Sequence, residues 1–465
     1  MPHPLSAILI GAGNRGQDAY GPYALQHPDE LRFVAVAEPD EARRTRFARA
    51  HGIPPQGQYR TWEDLLAGGR TADVALVCTL DRLHTEPALA ALELGYDVLL
   101  EKPMATTLGD CVRLVQTAER TGRLLQICHE MRYTSFFTLL RGIVNSGRLG
   151  RVVTVEHREN VSYWHMAHSY VRGNWRDSRV ESPMILAKCC HDLDILFWIL
   201  GPCHRLASFG SLVHYRRENA PAGAPERCTD GCPAAEQCPW YAPRLYLDIV
   251  PLLRMTRDSP VLQERLASRI ILDHPAMARV AERLVPGFAA ARDYRGWPLS
   301  VLSEDTSREA RLRALQTGPY GRCVYYCDND VVDHQTVSLE VEDGTSVVLV
   351  MHGHSHLEGR TMRYDGTRAT LLGSYGALSQ EIQIHDHLTG EVETIRPTSG
   401  LVGATGHGGA DMELMRGFVQ AVHDPACALT TARESLESHL LAFAAEEARV
   451  TGAVVNMADF RHAAG

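Results

Sequence analysis

Residues 7–16 read Ala-Ile-Leu-Ile-Gly-Ala-Gly-Asn-Arg-Gly, a short apolar run that passes directly into the pattern G-x-G-x-x-G. The apolar run predicts a buried strand, and the glycine pattern predicts a tight turn into a helix. Gly11 permits the turn, Gly13 lets the backbone approach a pyrophosphate, and Gly16 lets the helix pack closely on the strand. We expect the phosphates of a dinucleotide to lie at the N-terminus of that helix.

A carboxylate follows the glycine pattern at the sequence spacing that a dinucleotide-binding unit requires. The apolar run 33–37 ends at Glu38, which lies 22 residues beyond Gly16. An acidic residue near this position accepts hydrogen bonds from the adenosine ribose hydroxyls and repels a 2′-phosphate, so NAD is favoured over NADP. Arg43 and Arg44 lie nearby and would soften that preference. Gly21 and Pro22 interrupt the expected first helix, which predicts a kink or a restart there.

The composition is that of an ordinary globular protein. The 465 residues are 45% hydrophobic and 22% charged, which leaves room for two domains and a large core. The formal net charge of -9 argues against a broad basic surface for nucleic acid or anionic lipid, so a small-molecule partner is expected. No apolar run approaches 18 residues and no signal-peptide pattern opens the chain, so we expect a cytoplasmic protein with no membrane association.

The pattern of strands and helices changes along the chain. Residues 1–131 alternate strand and helix, which predicts an α/β domain with a doubly wound parallel sheet. Strands dominate residues 132–465, where 337–341 and 346–351 read as a hairpin around Asp343-Gly344. We therefore expect a second, α+β domain with a large and mainly antiparallel open sheet. An insertion of mixed character occupies about 214–322 and contains the helix-like stretches 261–271 and 276–284.

Three motifs in combination carry a family resemblance. Gly11 to Gly16, Glu101-Lys102-Pro103 and the segment 190–194 (Cys-His-Asp-Leu-Asp), placed before an apolar helix ending at 198–201, resemble the Gfo/Idh/MocA family of NAD(P)-dependent oxidoreductases. The resemblance covers most of residues 5–210. It implies an N-terminal Rossmann domain, a nicotinamide facing the cleft between the domains, and a homodimer or homotetramer formed through the C-terminal sheet.

The resemblance also implies roles for single residues. Lys102 is implied to contact substrate and the nicotinamide ribose, and His191 to contact the reacting hydroxyl. Thr79 and His84 match the family's segment beside the cofactor. The positions expected to contact the cofactor are Gly11, Gly13, Asn14, Arg15, Gly16, Glu38, Thr79, His84, Glu101 and Lys102.

The chain departs from the family four residues before the histidine. Many members carry an acidic residue there, whereas this chain has Ala187 followed by Lys188. Lys188 and His191 are three residues apart and would share a helix face. If Lys102 and Lys188 lie buried close together, desolvation and mutual repulsion would depress both pKa values. The candidates for the base are therefore Lys102, Lys188 and His191.

Structural alternatives exist for each of these positions. Lys102 would be a surface charge after a strand, and His191 would be a histidine at the start of a helix. Asp192 or Asp194 would then cap that helix. The motif context favours the catalytic interpretation of Lys102 and His191 and a structural one for the two aspartates.

Residues 164–176 combine aromatic rings with polar donors. Such a segment suits a sugar ring, whose C–H face stacks on an aromatic ring while its hydroxyls form hydrogen bonds. A buried structural loop is an equally good interpretation. Two arginines in the segment would also seat a carboxylate, sulfonate or phosphate. The substrate candidates are Trp164, His165, His168, Arg172, Trp175 and Arg176, with His407 in the Gly-rich loop 406–411 as a weaker one.

The insertion holds a group of cysteines. Cys228, Cys232 and Cys238 follow one another at spacings of four and six, and Cys323 and Cys327 come later. Four thiols would suffice for a structural zinc, with Cys228, Cys232, Cys238 and Cys323 as its ligands. The spacing differs from that of a zinc ribbon, and free thiols in a Pro-rich loop are the alternative.

These features predict an enzyme that transfers a hydride between a secondary alcohol of a sugar, sugar derivative or cyclitol and NAD. Some relatives of the family instead use tightly bound NAD to cleave a glycosidic bond through transient oxidation. The surplus of titratable groups (Lys188, His165 and His168) keeps that alternative open. A non-catalytic NAD-binding sensor is the third hypothesis, and the presence of both Lys102 and His191 speaks against it.

Overall fold

The computed structural model describes residues 3–259, 261–274, 276–278, 294–303, 305–376, 379–397 and 409–465. Its fold is built on two sheets. The first contains six parallel strands in the order β3-β2-β1-β4-β5-β6. These are β1 Leu5–Ile10, β2 Leu31–Ala37, β3 Gln58–Tyr59, β4 Val74–Val77, β5 Asp97–Leu100 and β6 Leu125–Ile127.

Helices connect these strands and cover both faces of the sheet. They are α1 Gly21–Gln26, α2 Glu41–His51, α3 Trp62–Leu66, α4 Thr85–Glu93 and α5 Leu108–Thr121. Helix α5 shows how the sequence sets their ends: the Thr107 side chain accepts a hydrogen bond from the backbone N–H of Asp110, and Gly122 ends the helix with φ +65°. The parallel, doubly wound arrangement expected for residues 1–131 is confirmed.

The first helix changes its winding where Gly21 and Pro22 predicted an interruption. A π-helical turn, Arg15–Tyr20, follows the glycine-rich loop, and α1 begins directly after it at Gly21. Pro22 lies in the first turn of α1, where its missing N–H costs no hydrogen bond.

The second sheet has nine strands in the order β14-β13-β12-β11-β7-β10-β9-β8-β15. Only the β7–β10 pair among these is parallel. The strands are β7 Val152–Ser162, β8 Cys203–Ser211, β9 His334–Val341, β10 Ser346–Ser355, β11 Gly359–Gly366, β12 Ala369–Gly376, β13 Gln380–Asp386, β14 Val392–Ile395 and β15 Val455–Asn456. The expected large, mainly antiparallel sheet is confirmed, as is its β9–β10 hairpin with Gly344 at φ +90°.

The C-terminal half of the chain also contains helices. The longest are α8 Met184–Leu200 and α14 Ala432–Thr451, which pack on each other. The others are α6 Ser135–Asn145, α7 Tyr163–His165, α9 Ala242–Tyr246, α10 Val250–Thr256, α11 Leu262–Asp273, α12 Arg308–Thr317, α13 Ala410–His423 and α15 Met457–Ala464. Helix α11 confirms the stretch expected at 261–271, whereas most of 276–284 lies outside the described residues.

Two C-terminal helices return to the nucleotide-binding sheet. Leu414 and Phe418 of α13 share a buried core cluster with Leu9 and Phe47. The backbone N–H of Ile127 in β6 donates to the carbonyl of Thr430, just before α14. Parts of the C-terminal half therefore complete the core of the N-terminal sheet. No helix in the described ranges is long and apolar enough to cross a membrane.

Candidate active site

The glycine-rich loop leaves open space where a cofactor would approach. A Cβ added at Gly11, whose φ is +94°, would lie 2.7 Å from the carbonyl oxygen of Cys78. One added at Gly16 would lie 2.4 Å from the carbonyl oxygen of Gly11, whereas one at Gly13 would meet no atom within 4 Å. The three positions thus match the turn, close packing and ligand approach that the pattern requires. Asn14 is exposed at the start of the π-helical turn.

Glu38 ends β2 beside this loop. Its carboxylate accepts hydrogen bonds from the backbone N–H of Ala12 (2.8 Å) and of Asp40 (3.0 Å), and the residue is buried. The guanidinium of Arg44 donates to the carbonyl oxygen of Glu38. That arginine is therefore engaged with the backbone of the loop that carries the acid.

Arg15 turns into a cluster of carboxylates. Its guanidinium lies 2.7 Å from Asp411, 3.4 Å from Glu130 and 2.5 Å from Glu101. Burial opposes the charge of Arg15, but these carboxylates outweigh it and raise its pKa well above the usual value. The sequence did not predict a role for Glu130, and it indicated Asp411 only as part of the weaker substrate candidate 406–411, because no local pattern links either acid to residue 15. Cofactor contact by Arg15 stays a prediction.

Lys102 stands at the end of β5. Its backbone N–H donates to Glu101, and its Nζ lies 3.4 Å from the carbonyl oxygen of Ala187 in α8. His84 supports the same turn: its Nδ1 lies 2.7 Å from the carbonyl oxygen of Pro103, and its Nε2 lies 3.1 Å from that of Thr79. The lysine thus faces α8 across the cleft between the two sheets.

His191 reaches this cleft from the middle of α8. Its ring is buried, with Nε2 3.6 Å from Glu130 and the ring centroid 5.6 Å from that of His129. Burial lowers the pKa of His129 to about 4. Lys102, His191 and the Arg15 carboxylate cluster are therefore parts of one continuous site.

The structure corrects the expected start of the histidine's helix. The sequence placed residues 190–194 before an apolar helix, but α8 begins at Met184. Asp192 and Asp194 are buried inside it and cap nothing. Asp192 lies 2.7 Å from Arg360 and 2.8 Å from His157, and Asp194 lies 2.7 Å from Arg132. Both aspartates hold the helix in place through buried ion pairs.

The structure also overturns the expected depression of the pKa of Lys188. Its Nζ lies 2.9 Å from Glu358 and 3.1 Å from Glu159. Burial lowers the pKa of Lys188, but the two carboxylates outweigh burial and raise it well above the usual value. The two carboxylates, which the expectation from the sequence did not include, determine the direction of the pKa shift. Lys188 is thus a cation held by two acids and not a base.

The side chains of the segment 164–176 contact several different elements. His165 Nδ1 lies 2.9 Å from Glu358, and Trp164 stacks beside it with ring centroids 5.8 Å apart. His168 is buried against Tyr246, with Nδ1 2.8 Å from the phenol oxygen. Trp175 donates through Nε1 to Asp81.

The two arginines of this segment are not available as expected. Arg172 is buried and donates to the carbonyl oxygens of Arg322 and Trp240, so its guanidinium anchors the insertion. Arg176 pairs with Asp328 at 3.1 Å. The prediction that these residues seat an anionic substrate is therefore not supported by their contacts. His407 lies outside the described residues.

Comparisons with known proteins agree with this geometry. Residues 5–129 match the oxidoreductase-family model for the NAD-binding Rossmann fold, and residues 141–226 match the model for its C-terminal alpha/beta domain. These two segments of the chain are thus similar to the two domains of the Gfo/Idh/MocA oxidoreductase family.

Two curated relatives show how far the similarity extends. Inositol 2-dehydrogenase 2 of Saccharopolyspora erythraea is 32% identical over 37% of this chain and 46% of its own length. The 1,5-anhydro-D-fructose reductase of Ensifer adhaerens is 30% identical over 36% of this chain and 49% of its own length. The chain thus spans about half the length of these relatives.

A solved structure shows the same fold over nearly the whole chain. An oxidoreductase from Agrobacterium radiobacter, crystallised with NAD+, L-tartaric acid and magnesium, aligns with a TM-score of 0.65 and 14% identity. The alignment covers 98% of this chain and 99% of that one. At this identity the likeness concerns the fold alone.

The cysteines of the insertion lie close together. Cys228, Cys232, Cys238 and Cys323 line one cavity of about 10 Å³, roughly the space of one water molecule. Arg172 also lines it and lies 3.7 Å from the sulfur of Cys228. All the cysteines are free thiols. In the part of the chain that the structure describes, no three potential ligand side chains are grouped so that they would hold a metal ion.

Proposed function

We propose that this chain is an NAD-dependent oxidoreductase that transfers a hydride between a secondary alcohol of a sugar, sugar derivative or cyclitol and nicotinamide. The observation that carries the proposal is the pairing of Lys102, at the end of a strand of the dinucleotide-binding sheet, with α8, which carries His191. Relatives named as inositol and sugar oxidoreductases support the substrate class.

The site's residues divide the work of an alcohol oxidation. When bound, the nicotinamide accepts the hydride. Lys102 would donate a hydrogen bond to the substrate oxygen, and a neighbouring base takes up the hydroxyl proton as the carbonyl forms. His191, beside Glu130, would orient the reacting hydroxyl. The buried, charge-paired walls of the cleft hold these groups in place.

A screen for cofactor reduction tests this function. The purified protein is incubated with NAD and a panel of sugars, sugar acids, inositols and glycosides, and the absorbance of reduced nicotinamide is followed. We expect NADH to form in proportion to product ketone with at least one polyol. NAD binding without reduction by any member of the panel would favour the sensor hypothesis.

Redox-assisted glycoside hydrolysis is the second candidate function. It needs two proton acceptors, and the favourable observation is that two histidines, His165 beside Glu358 and His191 beside Glu130, each lie next to a carboxylate. Aryl glycosides with catalytic NAD discriminate between the two. Aglycone release without net NADH would establish hydrolysis, and stoichiometric NADH with an intact glycosidic bond would exclude it for that substrate.

We further propose that NAD is preferred to NADP. Glu38 is held beside the glycine-rich loop, where its charge would repel a 2′-phosphate, and Arg44 is engaged with the backbone. Titration of both cofactors should show tighter binding of NAD, and a Glu38→Ala variant should narrow the difference. Tighter binding of NADP by the unaltered protein would overturn the assignment.

A structural zinc at the cysteine cavity stays a proposal. Its support is that four thiols line one small space, and binding would have to draw them together around the ion. Elemental analysis should then find about one equivalent of zinc, lost in a Cys232→Ser variant. Protein free of bound metal, with all four thiols titratable, would leave the free-thiol interpretation.

The expectations of a cytoplasmic location and of a homodimer or homotetramer also remain proposals. The outer face of the second sheet supports self-association, because it carries exposed apolar side chains. These include Phe209, Val153 and Val348. Sedimentation of the purified protein measures the oligomeric state.

A further inference from the structure

His165 is held by a carboxylate in a definite orientation. Its Nδ1 lies 2.9 Å from Glu358 Oε1, and the backbone N–H of Ser162 donates to the other oxygen of that carboxylate at 2.8 Å. Because an ionised carboxylate only accepts, Nδ1 carries the proton and Nε2 of the neutral ring is an acceptor. The side chain of His165 is 17% exposed, so the ring is not sealed from the cleft.

A chain of alternating charges fixes the carboxylate that holds this histidine. Glu358 pairs with Lys188, Lys188 with Glu159, and Glu159 with Arg360, whose Nη2 lies 2.8 Å from the acid. Arg360 pairs in turn with Asp192. Burial raises the pKa of Glu358, but His165 and Lys188 outweigh burial and hold it well below the usual value. Glu358 therefore stays ionised and cannot turn away without leaving buried charges unpaired.

Several elements face His165. The cations near it are Lys188 of α8 and Lys102, which follows β5, and the acid is Glu358. The titratable groups of its own segment are Tyr170 and His168. Trp297 of the insertion lies edge-on to the ring at 4.9 Å. Burial lowers the pKa of His165, Glu358 raises it, and the charge of Lys188 lowers it. The resulting pKa lies below the usual value. The ring is neutral at pH 7 and ready to accept a proton.

We propose that His165, oriented by Glu358, is the proton acceptor for the substrate hydroxyl. The inference rests on the proposed hydride transfer and assigns its base. The O–H bond of the substrate breaks as a bond forms to Nε2 of His165, and its electron pair forms the C=O bond. The hydride that leaves the same carbon would be taken up by the nicotinamide of bound NAD. The imidazolium is stabilised by Glu358 and then returns its proton to water.

Two variants test the pair separately from hydride transfer. His165→Gln should lower kcat by about 100-fold or more, the range for a lost general base, with NAD binding unchanged. Glu358→Gln retains an acceptor for Nδ1–H but loses the charge, so the imidazolium is less stable. The acid limb of the pH profile of kcat should then move to lower pH by about one unit or more.

An NMR titration gives a readout that does not depend on turnover. In protein with labelled histidine, the His165 resonance is assigned by its loss in His165→Gln. Its pKa should fall in Glu358→Gln by about the same shift as the acid limb. His334→Gln is the matched control, because His334 pairs with Asp333 at 2.9 Å in a separate cluster on β9. That variant should leave both the His165 titration and the acid limb unchanged.

The possible outcomes distinguish a failure of the proposed hydride transfer from a failure of the proposed role of His165. Absence of NADH formation by the unaltered protein with every polyol counts against the proposed function. Normal kcat and an unmoved acid limb in both variants, in protein that reduces NAD, would overturn the role of His165. An unchanged His165 pKa in Glu358→Gln would overturn the pairing itself, even if His165→Gln does not fold.

Discussion

Lys102 and Lys188 lie on the two sides of one cleft in opposite surroundings. Of the 47 lysine and arginine residues in the chain, these two are the lysines. The ammonium of Lys188 is enclosed by Glu159 and Glu358, whereas that of Lys102 is 3.4 Å from a neutral carbonyl oxygen. A cation already paired with two acids has little to offer a substrate, and one beside a carbonyl retains donors for a substrate oxygen. On the proposed function, Lys188 therefore has a structural role and Lys102 a catalytic one.

Removal of the Lys102 ammonium should give the largest effect. Lys102→Ala is expected to lower kcat by about 1,000-fold, the upper part of the range for loss of a hydrogen bond to the charge that develops on the reacting oxygen. Its free energy of unfolding should change by less than about 1 kcal/mol, because the buried Glu101 beside Lys102 keeps its ion pair with Arg15. Steady-state kinetics, NAD titration and denaturant unfolding of the same preparation measure the three quantities. Wild-type turnover in this variant would show that Lys102 is structural and does not differ from Lys188 in this respect.

The position of Lys102 was predictable because its signals are local. The strand, the glycine-rich loop and the Glu-Lys-Pro sequence are each contiguous, and Glu38 follows the loop at a fixed spacing. Hydrophobic periodicity and turn chemistry act over such short distances. The places of the glycine-rich loop, Glu38 and Lys102 in the fold could therefore be predicted from the sequence, and their contacts with a cofactor stay a prediction.

The surroundings of Lys188 were not predictable in this way. Its partner Glu358 is 170 residues away, and the pairing of Arg15 with Asp411 spans 396 residues. Neither acid lies in a motif that points to its partner. Packing of β7 and the start of β11 against α8 brings Lys188 to its acids, and packing of α13 beside the glycine-rich loop brings Asp411 to Arg15. A single sequence does not reveal either arrangement. The expected depression of the Lys188 pKa was wrong because the acids were not foreseen.

Removal of the Lys188 charge should mainly affect stability. Lys188→Met removes the cation between Glu358 and Glu159 and leaves Glu159 with Arg360 alone, so we expect the free energy of unfolding to fall by about 3 kcal/mol. Denaturant unfolding at pH 7 measures the loss, and Lys188→Arg, which keeps the charge, should recover much of it. In protein with labelled lysine, the two lysines can be titrated by NMR, and Lys188 should stay charged above the usual lysine pKa. A destabilisation of similar size in Lys102→Ala would show that the two lysines contribute equally to stability.

The smallest effect concerns the turn that carries Lys102. His439 of α14 accepts a hydrogen bond at Nε2 from the backbone N–H of Met104 (2.9 Å), while its Nδ1 contacts the carbonyl oxygen of Ser435 (2.8 Å). The ring must be neutral to accept that bond. Burial lowers the pKa of His439 to about 3, whereas the unfolded chain binds this proton near the ordinary value of about 6.5.

The sign of the pH dependence follows from which state binds the proton. Between about pH 6.5 and pH 3 the unfolded chain is the more protonated state, so stability falls as the pH falls through this window. From pH 6.5 to 5 the loss due to His439 should approach about 2 kcal/mol. Unfolding of the protein and of a His439→Gln variant at both pH values isolates this contribution, because glutamine does not titrate. The variant should lose correspondingly less stability, and an identical pH dependence of the two proteins would show that His439 does not hold the turn as a neutral ring.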